Sequence, residues 1–228
     1  MKSNTLKLSF VLLVVCAVFL MGGCATTQQA KKTETSGFLG DYSQLQKGSD
    51  EKALLSYVNP NVNFSDYNKV LLDHVAIWRS KDSDIEDVPK EELKNLSHYL
   101  YSAVKKQLKG DYMMVEKPGP NTMRIRMAFT EIGGASVPLD IATTYLPPAR
   151  LISEGKKLAT GTHSFVGDAT VEIEILDSLS NKRLAAAVDT RAGGKHYKGS
   201  TDKWADVKQA ADYWAGRIRA KLAEFRTR

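Results

Sequence analysis

Met123-Arg124-Ile125-Arg126-Met127-Ala128-Phe129-Thr130-Glu131-Ile132 alternates in character at a period of two. Successive side chains of an extended chain leave opposite faces, so Met123, Ile125, Met127 and Phe129 share one face, and Arg124 and Arg126 the other. This is the pattern of a strand with one face in a core. Val171, Ile173 and Ile175 alternate in the same way against Glu172 and Glu174. If the two strands are neighbours, two arginines meet two glutamates across the outer face of one sheet, where opposite charges stabilise a cross-strand pair. A turn over residues 178–182 then leads into an apolar stretch at 184–190, completing a hairpin.

Residues 69–79 are apolar on both faces, with Val70, Leu72, Ala76 and Trp78 on one and Leu71, Val75 and Ile77 on the other, as in a central strand. Pro89 suits the first position of a helix whose first turn carries Glu91 and Glu92 and whose end is marked by Gly110. Its stripe is Leu93, Leu96, Leu100, Ala103, Val104 and Leu108, flanked by Tyr99 and Tyr101 as packing residues. Residues 112–116 form a short strand, and Pro118-Gly119-Pro120 a turn. A second helix spans 201–226, with Trp204, Val207, Ala211, Trp214, Ile218, Leu222 and Phe225 at three-and-four spacing. Arg217, Arg219, Lys221, Arg226 and Arg228 crowd its end, where cations complement the helix dipole; contact with anionic lipid head groups is the alternative. The order of elements predicts an α+β domain: one mainly antiparallel or mixed sheet with both long helices packed on one face.

The N-terminus carries an address. Lys2 and Lys7 precede an apolar run over residues 8–20, which at 13 residues is too short to span a bilayer and reads as a signal peptide. Leu20-Met21-Gly22-Gly23-Cys24 resembles a bacterial lipobox, with Met21 where leucine is usual, and Cys24 is the expected site of lipid attachment. Ala25 follows, and the lack of aspartate there favours the outer membrane. The expected organisation is a signal peptide at 1–23, a flexible tether at 24–36 and a single periplasmic domain at 37–228. Removing Lys2 and Lys7 from 32 basic side chains leaves 30 against 26 acidic ones, a mild +4 that implies no nucleic-acid partner. Cys16 lies in the signal and Cys24 at the anchor, so the exported domain holds together without a disulfide.

Ser36-Gly37-Phe38-Leu39-Gly40-Asp41-Tyr42-Ser43, the segment Tyr57-Val58-Asn59-Pro60, the strand ending in Trp78 and Arg191-Ala192-Gly193 are similar to a family of bacterial lipoproteins grouped as domain of unknown function 3313. The resemblance covers most of 36–226. It implies an envelope lipoprotein and carries neither an activity nor catalytic residues.

No cofactor, metal site or catalytic set follows from the residues. His74, His98, His163 and His196 lack ligand spacing, and His74, inside an apolar strand, reads as a hydrogen-bonded core residue. Glu172 and Glu174 share a face about 7 Å apart, a separation that a hydrolase could use, but Arg124 and Arg126 are there to pair with them. The loop at 193–201 has glycines at P-loop spacing with Ser200 where lysine is required, so it implies no nucleotide. Lys195, Lys198, Ser200 and Thr201 form instead a candidate anion site, with a helix cap by Ser200 or Thr201 as the simpler reading. The 35 residues at 133–167 show no sustained period; such insertions are often binding loops, and Tyr145 and Arg150 are its probes for a partner or ligand, against simple edge-covering loop packing. The leading expectation is a non-catalytic outer-membrane lipoprotein, held by its acyl chains, that binds another envelope component. The alternatives are an envelope hydrolase and a lipid or anion carrier using the 193–201 loop.

Overall fold

The computed structural model describes residues 27–30, 33–48, 53–78, 85, 88–133, 167–192 and 202–227. Its elements in chain order are β1 (Gln28–Gln29), β2 (Gln46–Lys47), β3 (Leu55–Val58), β4 (Lys69–Leu72), β5 (Ala76–Ile77), α1 (Lys90–Leu108), β6 (Met113–Val115), β7 (Thr122–Gly133), β8 (Asp168–Asp177), β9 (Arg183–Ala192) and α2 (Ala205–Arg226). The strands form one sheet in the order β2-β3-β9-β8-β7-β4-β6, with β1 beside β9 and β5 beside β7. Pairing is antiparallel except where β4 meets β6 and β7 and where β5 meets β7, so the sheet is mixed. The parallel β4–β6 pair is the one that α1 connects, as a crossover helix requires.

Both helices lie on one face. Met123, Ile125, Met127 and Phe129 of β7 and Val171, Ile173 and Ile175 of β8 share a core with the apolar stripes of α1 and α2. Two bulges keep apolar residues inward. Thr130 is the extra residue between Phe129 and Glu131, which returns Ile132 to the core; Leu184 is the extra residue opposite Ile175 and Leu176, so Leu184 and Ala185 both face inward.

The expected single strand at 69–79 is two short ones. Val70 and Leu72 point into the core, and after the break at Asp73 and His74 it is Val75 and Ile77 that do so, while Ala76 packs on the opposite face. The faces exchange because one extra residue is inserted between β4, where Leu72 pairs with Ile125, and β5, where Ala76 pairs with Ala128; Asp73 keeps the outward face and clamps Arg124, accepting from Nε at 3.0 Å and Nη2 at 2.8 Å. His74 is consequently exposed and stacks on Tyr101 with ring centroids 5.1 Å apart, so it is not a core histidine. Of the stretch expected to be a tether, Gln28 and Gln29 pair with Ala192 and Arg191, and Ala30 donates its N–H to the Thr190 carbonyl at 3.0 Å. Residues 28–30 of that stretch thus run along the edge of β9.

Tyr67, just before β4, donates to Asp177 Oδ2 at 3.1 Å. Burial first, and then the Asp177 charge, push its phenol up to about 12. Since this lies above the unfolded value of 10.0, the associated stability is fully present below pH 10 and is lost as pH rises toward 12. Urea unfolding across that window should show a steeper loss for the native chain than for Tyr67→Phe. In the core, Leu100 of α1 has 0% exposure, so Leu100→Ala should lower the unfolding free energy by about 2–5 kcal/mol in the same measurement at pH 7.

Candidate functional site

On the sheet face away from the helices, Ala128, Ala186 and Val188 are apolar and buried, and Phe38 and Leu39 cover them. The segment that resembles the lipoprotein family is thus a plug. Gly37 and Gly40 have φ of 95° and 73°, left-handed conformations that glycine adopts without a Cβ penalty, and these fold the segment tightly. Within it the Tyr42 hydroxyl accepts the N–H groups of Gly37 at 2.8 Å and Leu39 at 3.2 Å and donates to Glu172 Oε2 at 2.5 Å. Glu172, at 0% exposure, also accepts the Ser36 N–H on Oε1 at 2.8 Å. Burial, aided by the bond to Glu172, raises the Tyr42 phenol above its ordinary range.

Glu174, 4% exposed, lies beside Glu172 and is held by Arg126 Nη1 and Arg183 Nε, each at 2.8 Å. Arg183 continues into the plug, donating to the carbonyls of Leu39 at 2.8 Å and Asp41 at 2.7 Å. Phe38 meets Trp78 edge-on at 5.6 Å, and Trp78 Nε1 donates to the Ser36 carbonyl at 3.1 Å. The expected solvated face with two Arg–Glu pairs is therefore corrected. Only Arg126–Glu174 forms; Arg124 goes to Asp73, and Glu172 lies opposite Ala128. Ala186 and Val188 on the same face were the available sign that this surface is covered.

The helix side carries a trough. It lies where α2 leaves β9 and β3 incompletely covered, and encloses a cavity of about 200 Å³. Its floor is Ile173, Ile175, Ala185 and Ala187; Trp214, Ile218, Leu222 and Phe225 form one wall, and Tyr57 and Val58 the other. Tyr213, Arg217 and Lys221, each four residues apart, run along the outer rim of α2. Helical spacing thus places apolar residues inside and cations at the lip. Ala185 and Ala187 leave the space open because a methyl group stands where β8 carries isoleucine.

At one end of the trough lies Asp189, buried with four donors. Its Oδ1 accepts Gln29 Nε2 at 2.7 Å and the Leu54 N–H at 3.3 Å, and its Oδ2 accepts Trp214 Nε1 at 2.8 Å and Arg191 Nε at 3.1 Å. The Arg191 guanidinium sits 3.6 Å over the Tyr213 ring centroid. Asp189 thereby joins β1, the entry to β3, β9 and α2. Sequence reading missed it, although an acidic residue flanked by Val188 and Thr190 in an apolar strand is a signal of a satisfied interior charge.

Cys24, Tyr145, Arg150, Lys195, Lys198, Ser200 and Thr201 lie outside the described residues, as do His163 and His196. The strands that lead to these segments end together: Gly133 pairs with Asp168, Asp168 with Ala192, and Ala192 with Gln28. The α2 entry is held by Asp202, whose Oδ1 accepts the Trp204 N–H at 2.9 Å. Of the cations near its end, Arg219 pairs with Asp111 at 2.7 Å, Lys221 with Glu224 at 2.6 Å, and Arg226 lies 5.4 Å from the Tyr112 ring centroid. These contacts go beyond dipole compensation. Among the described residues no cluster of three or more His, Cys, Asp or Glu could hold a metal, and no helix is long and apolar enough to cross a membrane.

A family model described as "Protein of unknown function (DUF3313)" matches residues 34–218, and the chain belongs to that family. No curated protein matches it in sequence. Among solved structures it is similar to the PelC dodecamer subunit from Paraburkholderia phytofirmans, at 12% identity and a TM-score of 0.40 over 73% of this chain and 94% of that one. It is also similar to a DUF4136 family protein from Bacteroides thetaiotaomicron, at 14% identity and a TM-score of 0.36 over 75% and 95%. A candidate lipoprotein from Caulobacter crescentus gives 11% identity and a TM-score of 0.36 over 72% and 93%.

Removing the Tyr42 hydroxyl deletes the donor to Glu172 and the acceptor for two backbone N–H groups. Tyr42→Phe should therefore lower the unfolding free energy by about 1–3 kcal/mol in urea titration.

Proposed function

We propose that this DUF3313 protein is an outer-membrane-anchored periplasmic lipoprotein whose folded domain is non-catalytic and binds another component of the cell envelope. The observation that carries the binding role is the trough beneath α2, an apolar cavity of about 200 Å³ with cations at its lip. The hydrolase alternative loses its candidate residues, because Glu172 and Glu174 are saturated by Ser36, Tyr42, Arg126 and Arg183 and covered by the plug.

Attachment through Cys24 gains weight from β1. Because β1 begins at Gln28, three residues separate Cys24 from the sheet, a reach of about 14 Å at full extension. The row Gly133–Asp168–Ala192–Gln28 then faces the bilayer, and the chain enters and leaves the insertion bearing Tyr145 and Arg150 at that row. Lys195, Lys198, Ser200 and Thr201 follow β9 from the same end, where an anionic head group is the natural counterpart to their charge and backbone donors.

Cells grown with labelled palmitate should incorporate label into the native chain and not into Cys24→Ser, and Cys24→Ser should vanish from the outer-membrane fraction. Equal labelling of the two forms would sink the anchor assignment.

A further inference from the structure

We infer that the trough between α2 and the β3–β9 pair is a binding site for a single acyl chain with an anionic head group. This deepens the proposed binding role by naming the chemical class of the occupant, and it rests on that reading.

The inner surface supplies alkyl contact on three sides: Ile173 and Ile175 below, with Ala185 and Ala187 beside them, and Ile218 and Leu222 above. An apolar cavity of this kind lacks partner atoms for its lining, and a chain of methylenes restores those dispersion contacts while leaving water itself. A peptide would fare worse, because these six side chains offer nothing to its backbone N–H and C=O groups. Asp189 at the inner end does not change this, since its oxygens already serve Gln29, Leu54, Trp214 and Arg191.

The head group is read from the lip. Arg217 and Lys221 stand one helical turn apart beside the opening, and both line the cavity. Lys221 also contacts Glu224 at 2.6 Å, a carboxylate that does not itself line the cavity. A carboxylate or phosphate at the lip receives charge-assisted hydrogen bonds from a guanidinium and an ammonium while its chain lies on the alanines. The two sources of such a ligand, free fatty acid and lysophospholipid, share this chemistry and are separated by the head group used in the assay.

The test uses the full chain, held in an amphipathic polymer, and a doxyl-labelled stearate whose nitroxide quenches Trp214 in the trough wall. Saturable quenching is expected, stronger for the carboxylate than for its neutral methyl ester, with a doxyl-labelled lysophosphatidic acid as the second anionic arm. Ala187→Leu fills the floor and should weaken binding about tenfold or more without lowering Tm, a change worth about 1.4 kcal/mol. Arg217→Gln with Lys221→Gln should weaken both anionic probes several-fold and leave the ester unchanged, a result that does not depend on how the core tolerates leucine. Non-saturable quenching, equal affinity for acid and ester, or unaltered binding in both variants would overturn the site. Native mass spectrometry that shows a bound peptide instead of an amphiphile would do the same. Failure of palmitate labelling would remove the anchor and leave this site standing, so the two readings fall separately.

Discussion

Glu172 has no exposure to water, and a carboxylate in that position must be met by donors or give up its charge. The donors come from neither neighbouring strand: they are the Ser36 N–H and the Tyr42 hydroxyl, 136 and 130 residues away in sequence. Around this contact the second face of the sheet closes, with Phe38 and Leu39 over Ala128, Ala186 and Val188, and Arg183 reaching from Glu174 to the plug carbonyls. The molecule thus has three layers: helices, sheet and plug. The middle one is buried on both sides, which explains why β8 is buried from Ala169 to Leu176 despite its two glutamates. Removal of a single donor leaves a buried acid short of partners, so the plug and the sheet stand or fall together.

Helices and long strands were legible because periodicity reports which face is buried and these elements bury one continuous face. Leu93 to Leu108 and Val207 to Leu222 sit where their spacing puts them, and Met123 to Phe129 fill the core from one side. Legibility failed where an interaction at long range overrode the local pattern. One extra residue between Leu72 and Ala76, fixed by how β4 and β5 each pair with the distant β7, breaks 69–79 into two pieces and turns His74 outward, while Asp73 clamps Arg124. Glu172 and Glu174 alternate with apolar residues as solvated charges would, and only the plug converts that face into an interior. The polar residues after Cys24 have no apolar period, yet Gln28 and Gln29 need none, since a strand edge is recognised by backbone groups.

The candidate site was the least readable part. A cavity arises from what is missing, and the alanines of β9 carry no chemistry that marks them in a sequence. They acquire meaning only once Ile173 and Ile175 lie beside them and α2 passes overhead. Asp189 ties this region to the N-terminal strand, so the trough, the entry to β3 and β1 share one buried charge. The family motif at Arg191 belongs to that cluster, through its bond to Asp189 and its stacking on Tyr213.

The pairing of β1 also sets an order in time. Gln29 and Asp189 are 160 residues apart, and a chain synthesised from its N-terminus has nothing for β1 to join until β9 has followed it. Contacts of such separation close late, after the loop entropy of everything between them has been overcome. β1 is therefore sealed against the sheet only when the domain is otherwise complete.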